Sequence, residues 1–257
     1  MKYSLIVDIG NSKTEFAIFK KEELIQKIRF TTNKFGVEYS KKFREFFKNA
    51  GLTADDFDGG MIFSVVPELS RLIQIVIKGE LGLEVEIFNS KKYVKKLKTD
   101  VDNPEEIGQD LIADIVGALH YYGAPIVVSD LGTVTKNIVI DKDGVFQGVS
   151  FFPGITLSAK ILYEKTSLLP ELEDVEKPAF YYGKNTIDAM NSGIFYCHVA
   201  AIRRFGERTE EEFGYKSKQV VTGGFSNILT GFFKNDVIMD PNLVLKGMYL
   251  IYQEEHK

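Results

Sequence analysis

Two acidic residues sit in matching surroundings. Asp8 opens the stretch Asp8-Ile9-Gly10-Asn11-Ser12-Lys13, after the apolar run Tyr3–Val7 and before the apolar run Phe16–Phe19. Asp130 opens Asp130-Leu131-Gly132-Thr133-Val134-Thr135-Lys136, after the run Ile126–Ser129 and before Ile138–Ile140. Both read acid, aliphatic, glycine, then Asn or Thr, and they lie close to half the chain apart. A strand, a tight turn and a returning strand make a hairpin whose tip offers a carboxylate, backbone N–H groups and short polar side chains. Such amides cradle phosphate oxygens. The carboxylates would hold the accompanying cation, Mg²⁺ through its waters, and Lys13 could lie along a phosphate as a point charge. One Asp-x-Gly turn would be structural. Two in register, in the two halves of one chain, favour two tips facing each other across a nucleotide cleft.

Gly223-Gly224, after the strand Val220–Thr222, is a third glycine turn. It is either a close approach of backbone to an adenosine or a plain strand-to-helix turn. Phosphoryl transfer needs positioning, charge neutralisation and a base near the acceptor hydroxyl. Asp110, in Gly108-Gln109-Asp110 at the start of an apolar helix, is the candidate base; the competing reading is an acid that complements the helix dipole. His120 ends that helix and reads as a surface or interface residue, and His198 carries no pattern. No Cys/His spacing suggests zinc, and nothing marks a nucleophile elbow.

These residues need elements to hold them. Strands are expected at 3–9, 14–20, 23–31, 60–66, 85–88, 126–129, 145–152 and 219–222. Helices are expected at 37–50, from Pro67 to about 78, from 109 to before Gly123, from Gly154 to about 166, at 185–213, at about 225–233 and at 242–254. Residues 168–183 read as irregular, and the lysine-rich Lys91–Lys98 as a solvated face. The expected fold is α/β: two duplicated ribonuclease H-like lobes with mixed sheets, residues 1–115 and 116–257, with the cleft between them.

Composition narrows the function classes. A net charge of −4 gives no reason to expect nucleic acid or an anionic membrane as partner. A single cysteine, Cys197, excludes an intrachain disulfide framework; with aromatic neighbours it reads as a buried thiol. No charged leader or membrane-length apolar run is evident, so a soluble, cytoplasmic protein is expected.

The order and spacing of these motifs resemble the type III pantothenate kinases, of the superfamily of actin, sugar kinases and heat-shock ATPases. The resemblance runs over essentially the whole chain. Beyond the two hairpins and Gly108-Gln109-Asp110 it includes Ser64-Val65-Val66-Pro67, Asp102-Asn103-Pro104, Gly148 with Pro153-Gly154, Gly183-Lys184-Asn185-Thr186 with Ser192-Gly193, Thr222-Gly223-Gly224 and Asp240-Pro241. It implies phosphorylation of pantothenate by ATP, the first step towards coenzyme A. Asp8, Ile9, Gly10, Asn11, Ser12, Lys13, Thr14 and Glu15 would bind the ATP phosphates, with Asp8 near Mg²⁺. Thr133, Gly223 and Gly224 would also meet ATP. Asp110 would be the base. Asp130 would help bind a monovalent cation, K⁺ or NH₄⁺. Gly108, Gln109, Thr186 and positions 101 and 111 would face pantothenate, and the protein would be a homodimer joined through its second lobe. The chain departs from the family pattern at three places: Val101 replaces a tyrosine, Leu111 an arginine that serves the anionic end of pantothenate, and Lys136 a threonine. The departures at Val101 and Leu111 leave open an altered relative that binds nucleotide but uses another hydroxyl acceptor or a partner protein. A glycolytic sugar kinase fits less well, because the halves are short and lack inserts.

Overall fold

The computed structural model describes residues 2–33, 36–233 and 236–257. Their contacts divide the chain into two compact units. One holds Met1–Lys96, Asn103–Gly117 and Val244–Lys257; the other holds Leu97–Asp102 and Ala118–Leu243.

The first unit is built on strands β1 (Tyr3–Ile9), β2 (Lys13–Lys20), β3 (Glu23–Thr31), β4 (Phe57–Ser64) and β5 (Glu86–Ile87), in the order β3-β2-β1-β4-β5. β1, β2 and β3 pair antiparallel, whereas β1–β4 and β4–β5 are parallel. Parallel neighbours need a crossover. Helix α1 (Gly36–Ala50) lies between β3 and β4, and α2 (Pro67–Leu81) between β4 and β5. α1 buries Tyr39, Phe43, Phe46 and Phe47 at helical spacing against Phe16, Val7 and Ile9 of the sheet. Each such aromatic stabilises the unit by roughly 1.5–3 kcal/mol through burial. Pro67 starts α2, its missing N–H costing nothing in the first turn, and Gly82 ends it in the left-handed conformation (φ 72°).

The second unit repeats the plan. Strands β6 (Ile126–Leu131), β7 (Val134–Ile140), β8 (Phe146–Pro153), β9 (Lys218–Thr222) and β10 (Val237–Met239) run in the order β10-β9-β6-β7-β8. The β6-β7-β8 pairs are antiparallel, and β6–β9 and β9–β10 are parallel. The order is the first sheet's, with β6 standing for β1. The duplication expected from the two acidic hairpins therefore extends to all five strands. The short α3 (Ser90–Tyr93) precedes α4 (Gln109–Tyr122), which is divided between the units at Gly117. α5 (Ile155–Lys165) and α6 (Thr186–Phe213) belong to the second unit, and Asn185 caps α6 by accepting from the Asp188 N–H at 2.9 Å. α6 buries Phe195, Val199 and Ile202 against Leu131 and Val221.

α7 (Leu243–Glu255) packs in the first unit on the sheet face opposite α1. Tyr249 stacks on Phe19 with centroids 4.7 Å apart, and Tyr252 Oη donates to Asp58 at 3.3 Å. The lysine-rich segment, expected as a solvated face or a loop near the domain junction, keeps its lysines exposed, and two of them also hold the end of this helix. Tyr93 Oη donates to Glu254 at 2.5 Å, and Lys92 and Lys96 pair with Glu254 and Glu255.

Other expectations are corrected. The helix expected at 225–233 is a single 3-10 turn, Ser226–Leu229, because Ser226 Oγ donates to Gly223 O and Gly231 (φ 75°) breaks the chain soon after. The strand expected at 85–88 shrinks to Glu86–Ile87, and β10 has no sequence counterpart among the expected strands. Cys197 is exposed; the buried stripe of α6 runs through residues 194, 195, 198, 199 and 202, and position 197 lies off it. Among the described residues no helix is long and apolar enough to cross a membrane.

Helix α7 approaches α4 closely at a glycine. A Cβ on Gly247 would stand 1.9 Å from Ala113 O, whereas one on Gly79, inside α2, would meet nothing within 4 Å. Gly247→Ala should therefore destabilise the protein by about 1–3 kcal/mol, and Gly79→Ala should be neutral or stabilise by roughly 0.5–1 kcal/mol. Urea unfolding midpoints of the two variants check this.

Candidate active site

In the first unit the parallel pairing of β1 and β4 brings two strand ends to one edge. Ile9 pairs with Ser64, and the Val65 N–H donates to Ile9 O at 3.0 Å. Asp8, half-buried, stands one residue from that end. The hairpin tip closes through the Gly10 N–H on Lys13 O at 2.9 Å, which leaves Asn11, Ser12 and Lys13 exposed. Thr32 buttresses the turn: its N–H donates to Ser12 O at 3.0 Å and its hydroxyl to Gly10 O at 2.8 Å.

The expected nucleotide residues divide by burial. Ile9 is fully buried in the core, so only its backbone could meet a ligand. Thr14 is also fully buried and its hydroxyl bonds to that of Thr32 at 3.0 Å. Glu15 lies across the ladder from Asp8 and pairs with Lys27 at 2.8 Å and Arg29 at 4.0 Å. Lys13 Nζ donates to Thr31 Oγ1 at 3.1 Å from an exposed position.

Helix α4 brings Asp110 to the same edge. The Gln109 side-chain amide donates to Ser64 O, so the start of α4 is fastened to the end of β4. Asp110 Oδ1 accepts from the Leu111 N–H at 3.0 Å. A Cβ on Gly108 would meet that same oxygen at 2.7 Å. An ionised carboxylate is favoured at a helix N-terminus. Gln109, expected to touch substrate, thus has a positioning bond that sequence reasoning did not supply. Leu111 turns inward and is buried.

The second unit repeats the edge. Asp130 and Thr222 pair across β6 and β9, and Gly223 follows with φ 88°. A Cβ there would meet Asp130 Oδ1 at 2.3 Å and Leu131 N at 2.6 Å, so this turn admits only glycine. Gly224 and Thr133 are exposed, and the Gly154 N–H, at the start of α5, donates to Thr133 O at 3.0 Å. Asp130 itself is not open. Lys136 Nζ lies 2.5 Å from Asp130 Oδ2, and both side chains are more than nine-tenths buried.

Thr186 begins α6 and, with Leu162, Leu169, Gly183, Lys184 and Met190, lines a cavity of about 530 Å³ in the second unit. Val101 belongs to the second unit, while Gly108, Gln109 and Leu111 belong to the first. Of the histidines set aside earlier, His120 is exposed. His198 is buried, with Nδ1 2.8 Å from Ile194 O, and burial pushes its pKa below the usual histidine range.

Comparison with known proteins places these motifs in a family. The model of a family described as "Type III pantothenate kinase" matches residues 4–208. A type III pantothenate kinase of Brevibacillus brevis is 34% identical over 251 residues, covering 97% of this chain and 98% of the relative. One from Halalkalibacterium halodurans is 34% identical over 253 residues, with 97% and 98% covered. Among solved structures, a Campylobacter jejuni protein described as a Baf family transcriptional activator matches with a TM-score of 0.60 at 22% identity, covering 98% of each chain. The activator of the 2-hydroxyisocaproyl-CoA dehydratase from Clostridium difficile matches at 0.50 and 11% identity, covering 99% of this chain and 96% of that one. At these identities the structural matches speak for the fold alone.

Gly223→Ala should cost about 2–4 kcal/mol, combining a left-handed backbone with overpacking against Asp130, read as a lowered urea midpoint. His198 supplies a pH test. Its folded pKa lies below the unfolded value, so the unfolded chain takes the proton first and stability is complete only above the unfolded pKa. The melting temperature should decline as pH falls below about 6.5, and His198→Gln should reduce that decline.

Proposed function

Because the chain belongs to the type III pantothenate kinase family, we propose that it transfers the γ-phosphoryl group of ATP to the primary hydroxyl of pantothenate, giving 4'-phosphopantothenate and ADP for coenzyme A synthesis. The observation that carries the reading is the first unit's edge, where the Asp8 hairpin and the Asp110 helix start are fastened through Ser64. Kinases of this family use ATP with a divalent metal. Mg²⁺ needs only one or two carboxylates besides the nucleotide phosphates and waters. Asp8, a half-buried carboxylate beside an exposed glycine turn, suits that demand. When bound, the metal would neutralise charge on the phosphates.

The chain's own residues then have these parts. Backbone N–H groups of Asn11–Lys13, in the turn that the Gly10 N–H closes on Lys13 O, and the Lys13 ammonium bind phosphate oxygens. In the second unit, Thr133, Gly223 and Gly224 are the proposed nucleotide contacts. Asp110 accepts the proton from the pantothenate hydroxyl as that oxygen bonds to the γ-phosphorus. The bond from that phosphorus to the β,γ-bridging oxygen breaks, and the electron pair leaves with ADP. Gln109 is a positioning residue for Asp110, and Gly108 and Thr186 help hold pantothenate. No comparison favours the altered-acceptor or partner-binding alternative. A free monovalent cation at Asp130 is not part of the reading, because the Lys136 ammonium stands there.

A second copy of this chain is the proposed partner, joined through the second unit. Leu168, Phe180, Tyr181 and Tyr182 are exposed there, Leu168 to 92%, and such a cluster of large apolar groups suits a covered face. We place the protein in the cytoplasm, which its one exposed cysteine suits.

Purified protein with ATP, Mg²⁺ and pantothenate should form phosphopantothenate, detected by mass spectrometry. Asp110→Asn should lower kcat by about 10²–10⁴-fold, the usual worth of a general base, with the ATP dissociation constant little changed in calorimetry. No turnover at millimolar pantothenate would overturn the assignment.

A further inference from the structure

The two halves differ at one equivalent position. In β1–β2 the residue opposite Asp8 is Glu15; in β6–β7 the residue opposite Asp130 is Lys136. The first tip therefore presents an acid facing an acid, and Glu15 is drawn off to Lys27 and Arg29 on β3. The second presents an acid facing its own cation. Opposite charges directly across a ladder attract, and like charges repel. The Lys136–Asp130 contact is 2.5 Å, with side-chain exposures of 9% and 7%. Gly223 closes on the other carboxylate oxygen, where even a methyl group would collide.

We propose that the Lys136 ammonium is a built-in monovalent cation at Asp130, and that this chain therefore works without free K⁺ or NH₄⁺ at that position. A lysine ammonium is a compact, strongly hydrated point charge, chemically a tethered alkylammonium ion. Tethering gives it a high effective concentration at Asp130. A free ion that displaced it would leave a buried lysine without its carboxylate, which is strongly unfavourable. Thr222 lies on the other side of Asp130 in the sheet, and its hydroxyl is buried without a hydrogen-bond partner. If lysine is shortened to threonine, these oxygens and the carboxylate form a small site that a free cation could fill.

The activity arm of the test rests on the pantothenate kinase reading; the melting arm does not. Wild-type protein is assayed with ATP, Mg²⁺ and pantothenate in choline, potassium or ammonium chloride at equal ionic strength. Its rates should agree within about twofold. Lys136→Thr should lose at least about tenfold in choline, consistent with an unpaired buried carboxylate, and regain activity in K⁺ or NH₄⁺. Lys136→Met, which fills the space without a charge, should not be rescued. In parallel, melting is followed without nucleotide or pantothenate. K⁺ should raise the melting temperature of Lys136→Thr over choline and leave that of wild type unchanged. A wild-type enzyme that needs K⁺ or NH₄⁺ for more than about nine-tenths of its rate, or whose melting temperature rises with K⁺ relative to choline, overturns the proposal, and this holds even if the variants fail to fold. Absence of any turnover alongside the expected melting pattern overturns the kinase reading and leaves the lysine assignment standing.

Discussion

Parallel pairing of β1 with β4, and of β6 with β9, is the constraint on which the rest of each unit depends. A parallel neighbour cannot be reached by a tight turn, so the chain must leave the sheet and return through helices. That requirement creates α1 in the first unit and the long excursion through α5 and α6 in the second. It also puts the carboxyl ends of two central strands side by side. The last residues of those strands and the turns after them then share one edge, which is where ligands bind in sheets of this kind. Asp8 and Ile9 beside Phe63 and Ser64, and Asp130 beside Thr222, are the two products of this geometry.

Much of this was legible because it is local. The hairpins announce themselves by apolar runs interrupted by Gly10-Asn11-Ser12 or Gly132-Thr133, and α1 by Tyr39, Phe43, Phe46 and Phe47 at helical spacing. What stayed hidden was non-local. Nothing in Gln109 indicates that its amide reaches a carbonyl at Ser64, because the bond joins segments far apart in the chain. β10 is only three residues long, too short for periodicity to register, and exists because β9 offers it an edge. Gly223-Gly224 resembles a turn into a helix, but the helix stops after one turn, and Gly231 follows with a left-handed backbone. The lysine run is solvated as expected, but its pairing with Glu254 and Glu255 could not be foreseen, because they lie at the other end of the sequence.

The site residues illustrate a related limit. Sequence groups Ile9, Thr14 and Glu15 with Asn11 and Ser12 as one motif. The fold sorts them, sending Ile9 and Thr14 into the core and Glu15 to the basic residues of β3, and leaving the turn exposed. A motif therefore mixes residues that shape a tip with residues that can meet a ligand, and alternation along the strand decides which is which. Lys136 shows the reverse. It reads as an isolated departure in the sequence, yet register makes it the direct neighbour of Asp130.

The placement of α7 in the first unit bears on how the protein is made. Residues 244–257 supply the cover for the sheet face that carries Phe19 and Asp58. During synthesis the first unit's strands emerge early but keep that face bare until α7 has left the ribosome. The second unit's residues, 97–102 and 118–243, are all available before then. Folding in order of synthesis is thereby reversed in part: the unit begun first is completed last, and its uncovered face is the surface a chaperone would need to shield in the interval.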